Sequence, residues 1–220
     1  MQEYLKSWNT FEKVIFGASV VFILGLGLVL KCDLLTTLVA FLGFFSALNQ
    51  AKGKVVGQFT GVILALLYSI VSFRNRYFGE VIVYLVVILP LYIFGIFSWL
   101  KNKDKNTEKV KQNVIGKNEW ILILVSCVIL FIGLYQLLKY FDTSQLFVST
   151  LSMIINITAT YLLVRRSKYS FILYIFNALI LLVLWGIPVV EGDYLLIPMV
   201  FDAILLLIND VYGFKSWARS

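Results

Sequence analysis

Long apolar stretches alternate with short polar interruptions almost from one end of the chain to the other. The apolar runs cover approximately residues 14–30, 34–48, 55–73, 81–100, 120–138, 146–164, 169–190 and 194–212. Most approach the roughly 20 residues that carry an α-helix across a hydrocarbon core about 30 Å thick, whereas a barrel strand needs only about 10 and alternates in polarity. The pattern predicts an all-α polytopic membrane protein with eight transmembrane helices. Composition points the same way: 60% of the residues are hydrophobic and 14% charged, which leaves more apolar surface than a water-soluble core can hide.

Lys6 and Lys13 ahead of the first apolar run give it a signal-peptide look. No small-residue cleavage pattern follows Gly27, however, and Lys31 spoils a lipoprotein-type signal at Cys32, so a retained helix is expected. Cys32 and Cys127 offer neither a disulfide framework nor metal-ligand spacing and read as packing residues. No cofactor is expected.

Charge sets the orientation. If all eight segments span, the side holding both termini carries Lys6, Lys13, Lys52, Lys54, the lysines between Lys101 and Lys117, Arg165, Arg166, Lys168, Lys215 and Arg219. The other side has only Lys31, Arg74, Arg76 and Lys139, so the positive-inside rule places both termini in the cytoplasm. The formal charge of +7 is thereby a matter of topology. The run from Lys101 to Lys117 lacks the aromatic interleaving of a single-stranded nucleic-acid site, and no nucleic-acid partner is expected. It reads as a solvated cytoplasmic loop within reach of anionic headgroups of the bilayer.

Two segments end alike, as Gly95-Ile-Phe-Ser-Trp99-Leu-Lys101 and Gly213-Phe-Lys-Ser-Trp217-Ala-Arg219. Each closes a three-helix unit with a basic turn between its first and second helices and a loop pairing glycine with an acid between its second and third. One helix separates the units, so the second enters from the same face as the first. The expected organisation is an extra N-terminal helix at 1–33, a first repeat at 34–101, a loop and inverting linker helix at 102–141, and a second repeat at 142–220. Such parallel repeats occur in transporters with a pathway between similar bundles, and also as a record of duplication in structural proteins.

Polar side chains at membrane depth mark the candidate site. Gln145, Ser149, Ser152, Asn156 and Thr160 follow at steps of four, three, four and four, which puts them on one helix face. Hydrogen-bonding glue between helices accounts for the serines and Thr160, while Asn156 also suits a ligand. Gln58, Gly61, Ala65 and Tyr68 form a second stripe. In the seventh stretch Tyr174, Asn177 and Trp185 place an amide between aromatics, where a planar heterocycle can stack, although Trp185 also suits an interfacial belt. Asp202 is the deepest carboxylate, and Asn209, seven residues on, returns to its face, so the pair can grip sugar hydroxyls or Asp202 can carry a proton. Asp210 reads as a residue near the cytoplasmic interface. Pro90 should bend the fourth helix. No phosphate-binding Gly-x-x-x-x-Gly-Lys-Ser/Thr loop occurs and histidine is absent, which disfavours ATP hydrolysis by that route and most enzymatic chemistry.

The stretch Tyr77-Phe-Gly79-Glu80-Val with Pro90, Gly95, Trp99, Lys101 and Asn102, then Leu162-Leu-Val-Arg165-Arg166 and Tyr212-Gly213-x-x-x-Trp217, resembles the PnuC family of bacterial nicotinamide riboside transporters. The resemblance covers about residues 34–219. It implies a SWEET-like 3+1+3 fold, frequently a homotrimer, in the bacterial inner membrane, passing a vitamin or nucleoside down its gradient until a cytoplasmic kinase traps it by phosphorylation. Carried over residue by residue, it implies a pathway lined by Asn156, Thr160, Asn177 and Trp185 together with Gln58, Tyr68 and Tyr92. The chain departs from the family pattern at Tyr92, where a glutamine is usual, and at Asp202 and Asp210, where the family is usually apolar. Deoxyribonucleosides, thiamine and riboflavin are therefore alternative solutes, and the substrate-binding subunit of an ATP-driven importer is the alternative of another class.

Overall fold

The computed structural model describes residues 8–74, 76–105, 107–143 and 145–219. Lys6, counted above among the cytoplasmic charges, lies outside them. Among the described residues eight helices are long and apolar enough to cross a membrane: α1 Thr10–Val29, α2 Leu34–Ala51, α3 Val56–Arg74, α4 Phe78–Lys101, α5 Lys117–Tyr140, α6 Leu146–Val164, α7 Tyr169–Val190 and α8 Tyr194–Ala218. The expected helical class and span number are thus met, and the ends of α6 and α7 fall where the apolar runs end.

Local chemistry explains the starts. Asn9 and Glu12 close a capping box on α1, each side chain accepting from the other's backbone N–H at 2.9 Å. Asp33 caps α2, accepting from the Thr36 backbone N–H and hydroxyl at 2.8 Å each. These bonds, Thr36 N–H first, hold the Asp33 carboxyl below its usual value. The bend anticipated at Pro90 has a definite form: the turn before it, Tyr84–Ile88, is π-helical, with the Leu89 N–H reaching back to the Tyr84 carbonyl. Pro90 has no N–H to give, and a widened turn redistributes the carbonyls it leaves free.

Six of the helices close a ring. In order around it, α2 packs on α3, α3 on α4, α4 on α6, α6 on α7, α7 on α8 and α8 back on α2. Opposite members are α2 and α6, α3 and α7, α4 and α8. Outside the ring α1 packs on α2 and α8, and α5 packs on α6. The outer face of α5, with Leu122, Leu124, Val125, Val128, Ile129 and Ile132 all exposed, has the character of a lipid-facing surface.

The two repeated motifs fasten the seams of this ring. Trp99, at the end of α4, donates its indole N–H to the Leu163 carbonyl at the end of α6, 3.0 Å away. Trp217, at the end of α8, donates to the Ala51 carbonyl at the end of α2, 3.1 Å away. Each indole bonds a carbonyl in the last turn of the neighbouring helix, where intrahelical partners run out; the Leu163 carbonyl also accepts from the Arg166 N–H at 2.9 Å. The motif glycines are there for contact. A Cβ on Gly213 would stand 2.6 Å from the Phe171 ring and 3.1 Å from the Ala51 Cβ, and one on Gly95 would collide with the Gln58 amide.

Helix α8 closes on its repeated motif, running to Ala218 with Trp217 buried against Trp99 and Phe171. Asp210 stands two turns before Trp217 and is only 5% exposed, covered by protein. The loop 102–116 is more than a solvated run. Val110 and Ile115 are buried, the Val110 N–H donates to the Gly53 carbonyl, and the Asn113 N–H donates to the Arg166 carbonyl. Gln112 bonds the Trp217 carbonyl. Gly53 and Arg166, both in left-handed conformation, lie in the turns after α2 and α6, so the loop straps together one end of both halves. Lys52 and Arg166 therefore share one face of the bundle.

Candidate functional site

Helices α6 and α7 contribute a connected polar belt to the ring. Thr160, fully buried, donates to the Asn156 carbonyl at 2.8 Å and lies 3.0 Å from the Tyr174 hydroxyl. Ser152 donates to the Asn177 Oδ1 at 2.8 Å, and both residues are buried. The stripe of α6 thus meets that of α7 at two levels, one turn pair apart, and the Asn177 amide is held with its NH2 group as the end not committed to Ser152.

On the adjoining side of the ring, Tyr92 of α4 fills the space that Gly61 of α3 leaves, since a Cβ there would stand 2.5 Å from the aromatic ring. Its hydroxyl neighbours the Gln50 side chain. Tyr84 stacks on Tyr68 with ring centroids 4.2 Å apart, and its hydroxyl neighbours the Asn156 side chain. Tyr68 turns away from the belt: its hydroxyl donates to Glu80 at 2.5 Å, and Ser72 donates to the same carboxylate oxygen at 3.2 Å. Gln58 is fully buried with neither end of its amide partnered.

On α8, Asp202 has a buried oxygen without a partner. Asn209, also fully buried, uses its NH2 group toward Asp210 at 3.4 Å and leaves its Oδ1 unpartnered. Asp202, Asn209 and Gly213 share a helix face, and Gly213 touches Phe171 of α7 and Ala51 of α2, the two ring neighbours of α8. That face accordingly looks into the ring, while Phe201 stacks on Phe22 of the outer helix α1 at 4.7 Å.

Of the residues expected from sequence, Asn156, Thr160, Tyr174 and Asn177 come together in one belt, with Tyr92, Asp202 and Asn209 on interior faces. Gln58 lies at the Gly95 seam, and Tyr68 serves Glu80. Trp185 lies two turns beyond Asn177 toward the other end of α7 and, among the described residues, enters no hydrogen bond or ring contact. Sequence reading missed Tyr84, Gln50 and Glu80. Tyr84 and Glu80 belong to a helix taken to start at 81, and the π-helical turn shifts the phase by which Tyr84 would have been aligned with the inner half of α4. No group of histidine, cysteine or acidic side chains suited to a metal occurs among the described residues.

At the strapped end, Glu12 of α1 pairs with Lys52 at 2.9 Å, both about 5% exposed, and accepts from the Tyr212 hydroxyl at 2.7 Å. Burial pushes the Lys52 ammonium below its usual value and Glu12 pulls it back. Lys52 also lies over the Trp8 ring, 4.1 Å from its centroid. Glu119 of α5 holds Arg165 in a two-pronged bond at 2.6 and 2.8 Å, which raises the guanidinium further.

This arrangement, a ring of helices with amides, hydroxyls, tyrosines and carboxylates turned inward, offers contacts for a small polar solute. Two curated proteins are similar along most of the chain. The nicotinamide riboside transporter PnuC of Neisseria mucosa is 23% identical over 189 residues, 84% of this chain and 72% of that protein. The nicotinamide riboside transporter PnuC of Haemophilus influenzae is 24% identical over 220 residues, 99% of this chain and 94% of that one. A crystal structure of the vitamin B3 transporter PnuC superposes with a TM-score of 0.81 at 21% identity, covering 97% of this chain and 92% of that one, a likeness of fold. The profile of the nicotinamide mononucleotide transporter family matches residues 33–219, and the chain belongs to that family of membrane transporters.

Proposed function

We propose that this protein carries nicotinamide riboside across the bacterial inner membrane by facilitated diffusion, with phosphorylation by a cytoplasmic kinase trapping the solute inside. The observation that carries the reading is the belt of Ser152, Asn156, Thr160, Tyr174 and Asn177 on facing sides of α6 and α7. An oriented amide beside aromatic rings matches a carboxamide-bearing heterocycle, and the names of the similar proteins support the same solute. The lysine-rich loop and turns on one side of the bundle support cytoplasmic termini. The doubled Gly-x-x-x-Trp seams support two parallel three-helix repeats around a linker helix, and the family resemblance supports a homotrimer.

The test is uptake into sealed vesicles holding the purified protein alone. Entry of labelled nicotinamide riboside should proceed without ATP and ignore a pH gradient, and cross-linking in the same vesicles should capture three subunits. Asn177→Ala should weaken binding more than tenfold, about 1.4 kcal/mol. An absolute requirement for an ATPase partner would refute facilitated diffusion, and wild-type affinity in the variant would remove Asn177 from the site.

A further inference from the structure

The charges at membrane depth are all of one sign. Every lysine and arginine within the eight spans stands among the first or last four residues of its helix. Asp202 and Asp210 do not. They are the ninth and seventeenth residues of α8, which puts them about 6 Å to either side of its midpoint. Neither has a cationic partner among the described residues. Asp202 keeps a buried unpartnered oxygen, Asp210 is 5% exposed with only the Asn209 amide against it, and the fully buried Asn209 adds a second unpartnered oxygen on the face that looks into the ring. Acceptors without donors, buried where a bare negative charge is costly, are the complement of a cation.

The wall opposite completes the picture. Helix α4 stands across the ring from α8, and Tyr92 lies seven residues before Trp99, as Asp210 lies seven before Trp217. The Tyr174 hydroxyl of α7 lies 3.0 Å from that of Thr160, one turn along α6 from the Asn156 side chain that the Tyr84 hydroxyl neighbours. Tyrosine faces attract cations, and best where water is excluded.

We infer that the α8 face of Asp202, Asn209 and Asp210, set against Tyr84, Tyr92 and Tyr174, selects a planar organic cation. The inference rests on the nicotinamide riboside reading and adds to it: the pyridinium ring of that solute carries a fixed positive charge, which the two carboxylates meet in turn on either side of the α8 midpoint. A neutral nucleoside gains nothing from them, and a mononucleotide brings a phosphate to a wall of carboxylates.

The experiment measures binding to the purified protein by calorimetry. The probes are nicotinamide riboside, its dihydro form, which has the same size and hydroxyls but no ring charge, thiamine as a second planar cation, and thymidine as a neutral nucleoside. Wild-type protein should bind nicotinamide riboside at least tenfold more tightly than the dihydro form. Asp202→Asn should erase most of that ratio. Equal binding of the charged and neutral forms by the wild type overturns the inference and leaves the nicotinamide reading standing. Binding of thiamine but not of nicotinamide riboside does the reverse, and binding of thymidine alone sinks both. Because the wild-type ratio decides the matter, loss of the variant during purification does not.

Discussion

Replacing Gly61 by alanine tests the packing of the site wall directly. The new Cβ would stand 2.5 Å from two carbons of the Tyr92 ring and 2.8 Å from a third. Carbon atoms in ordinary contact are about 3.5 to 4 Å apart, so the ring must withdraw by roughly 1 Å. It has nowhere to go without cost, because Tyr92 belongs to a core cluster with Val83, Ile88, Ile154 and Ile157. Overpacking of this kind costs about 1–3 kcal/mol. The control is Gly133→Ala on α5, where an added Cβ meets nothing within 4 Å and helix propensity alone should stabilise by about 0.8–1 kcal/mol. Unfolding by sodium dodecyl sulfate in mixed micelles, followed by tryptophan fluorescence, reads both. The two alanines should shift stability in opposite directions, and Tyr92→Leu should relieve the Gly61→Ala defect with a coupling of about 0.5–3 kcal/mol. Shifts of the same sign and size, or strict additivity, would refute the account of this contact.

Three further outcomes follow from contacts described above. Lys52→Ala leaves the buried Glu12 carboxylate unpaired and should cost about 3–5 kcal/mol in the same unfolding assay, most of it recovered by Glu12→Gln with Lys52→Met; an uncorrected double variant would count against the pair. Asp33→Ala should cost about 1 kcal/mol through loss of the α2 cap. The folded value of Asp33 lies below 3.8, so its contribution should be full above the ordinary carboxylate range and fade as the pH falls through that folded value; a wild-type minus variant difference that stayed constant on acidification would contradict it. Ser152→Ala frees the Asn177 carbonyl oxygen and should weaken nicotinamide riboside binding roughly fivefold to tenfold, about 1–1.4 kcal/mol, with little loss of stability, since such bonds in membranes average about 0.6 kcal/mol; unchanged calorimetric affinity would show that the amide needs no orienting partner.

The spans were legible because lipid enforces a simple rule, and α6 and α7 are bounded by charged or glycine-containing turns that leave no doubt about their ends. The rule fails where a polar segment finds protein cover. Residues 213–218 are largely polar yet helical, as their likeness to the end of α4 indicated, with Trp217 reaching the Ala51 carbonyl. Val110 and Ile115 are two apolar positions in a lysine-rich run, too few to register as a core until the turns at Gly53 and Arg166 are brought beside them. The α6 stripe could be read because one helix carries it at regular steps. Its partners could not: Tyr84 of α4 joins Asn156 of the neighbouring α6, a pairing of helices distant in sequence, and from a helix whose period is interrupted.

The paired indole bonds, at one end of the bundle, also make a fulcrum. Glu80 lies 19 residues from Trp99 along α4, about 29 Å at 1.5 Å per residue, so pivoting that helix by a tenth of a radian about its tryptophan sweeps the far tip through roughly 3 Å and the middle through half as much. Small tilts at the clasped end thus become wide excursions at the other, and the leverage of α8 about Trp217 is of the same kind.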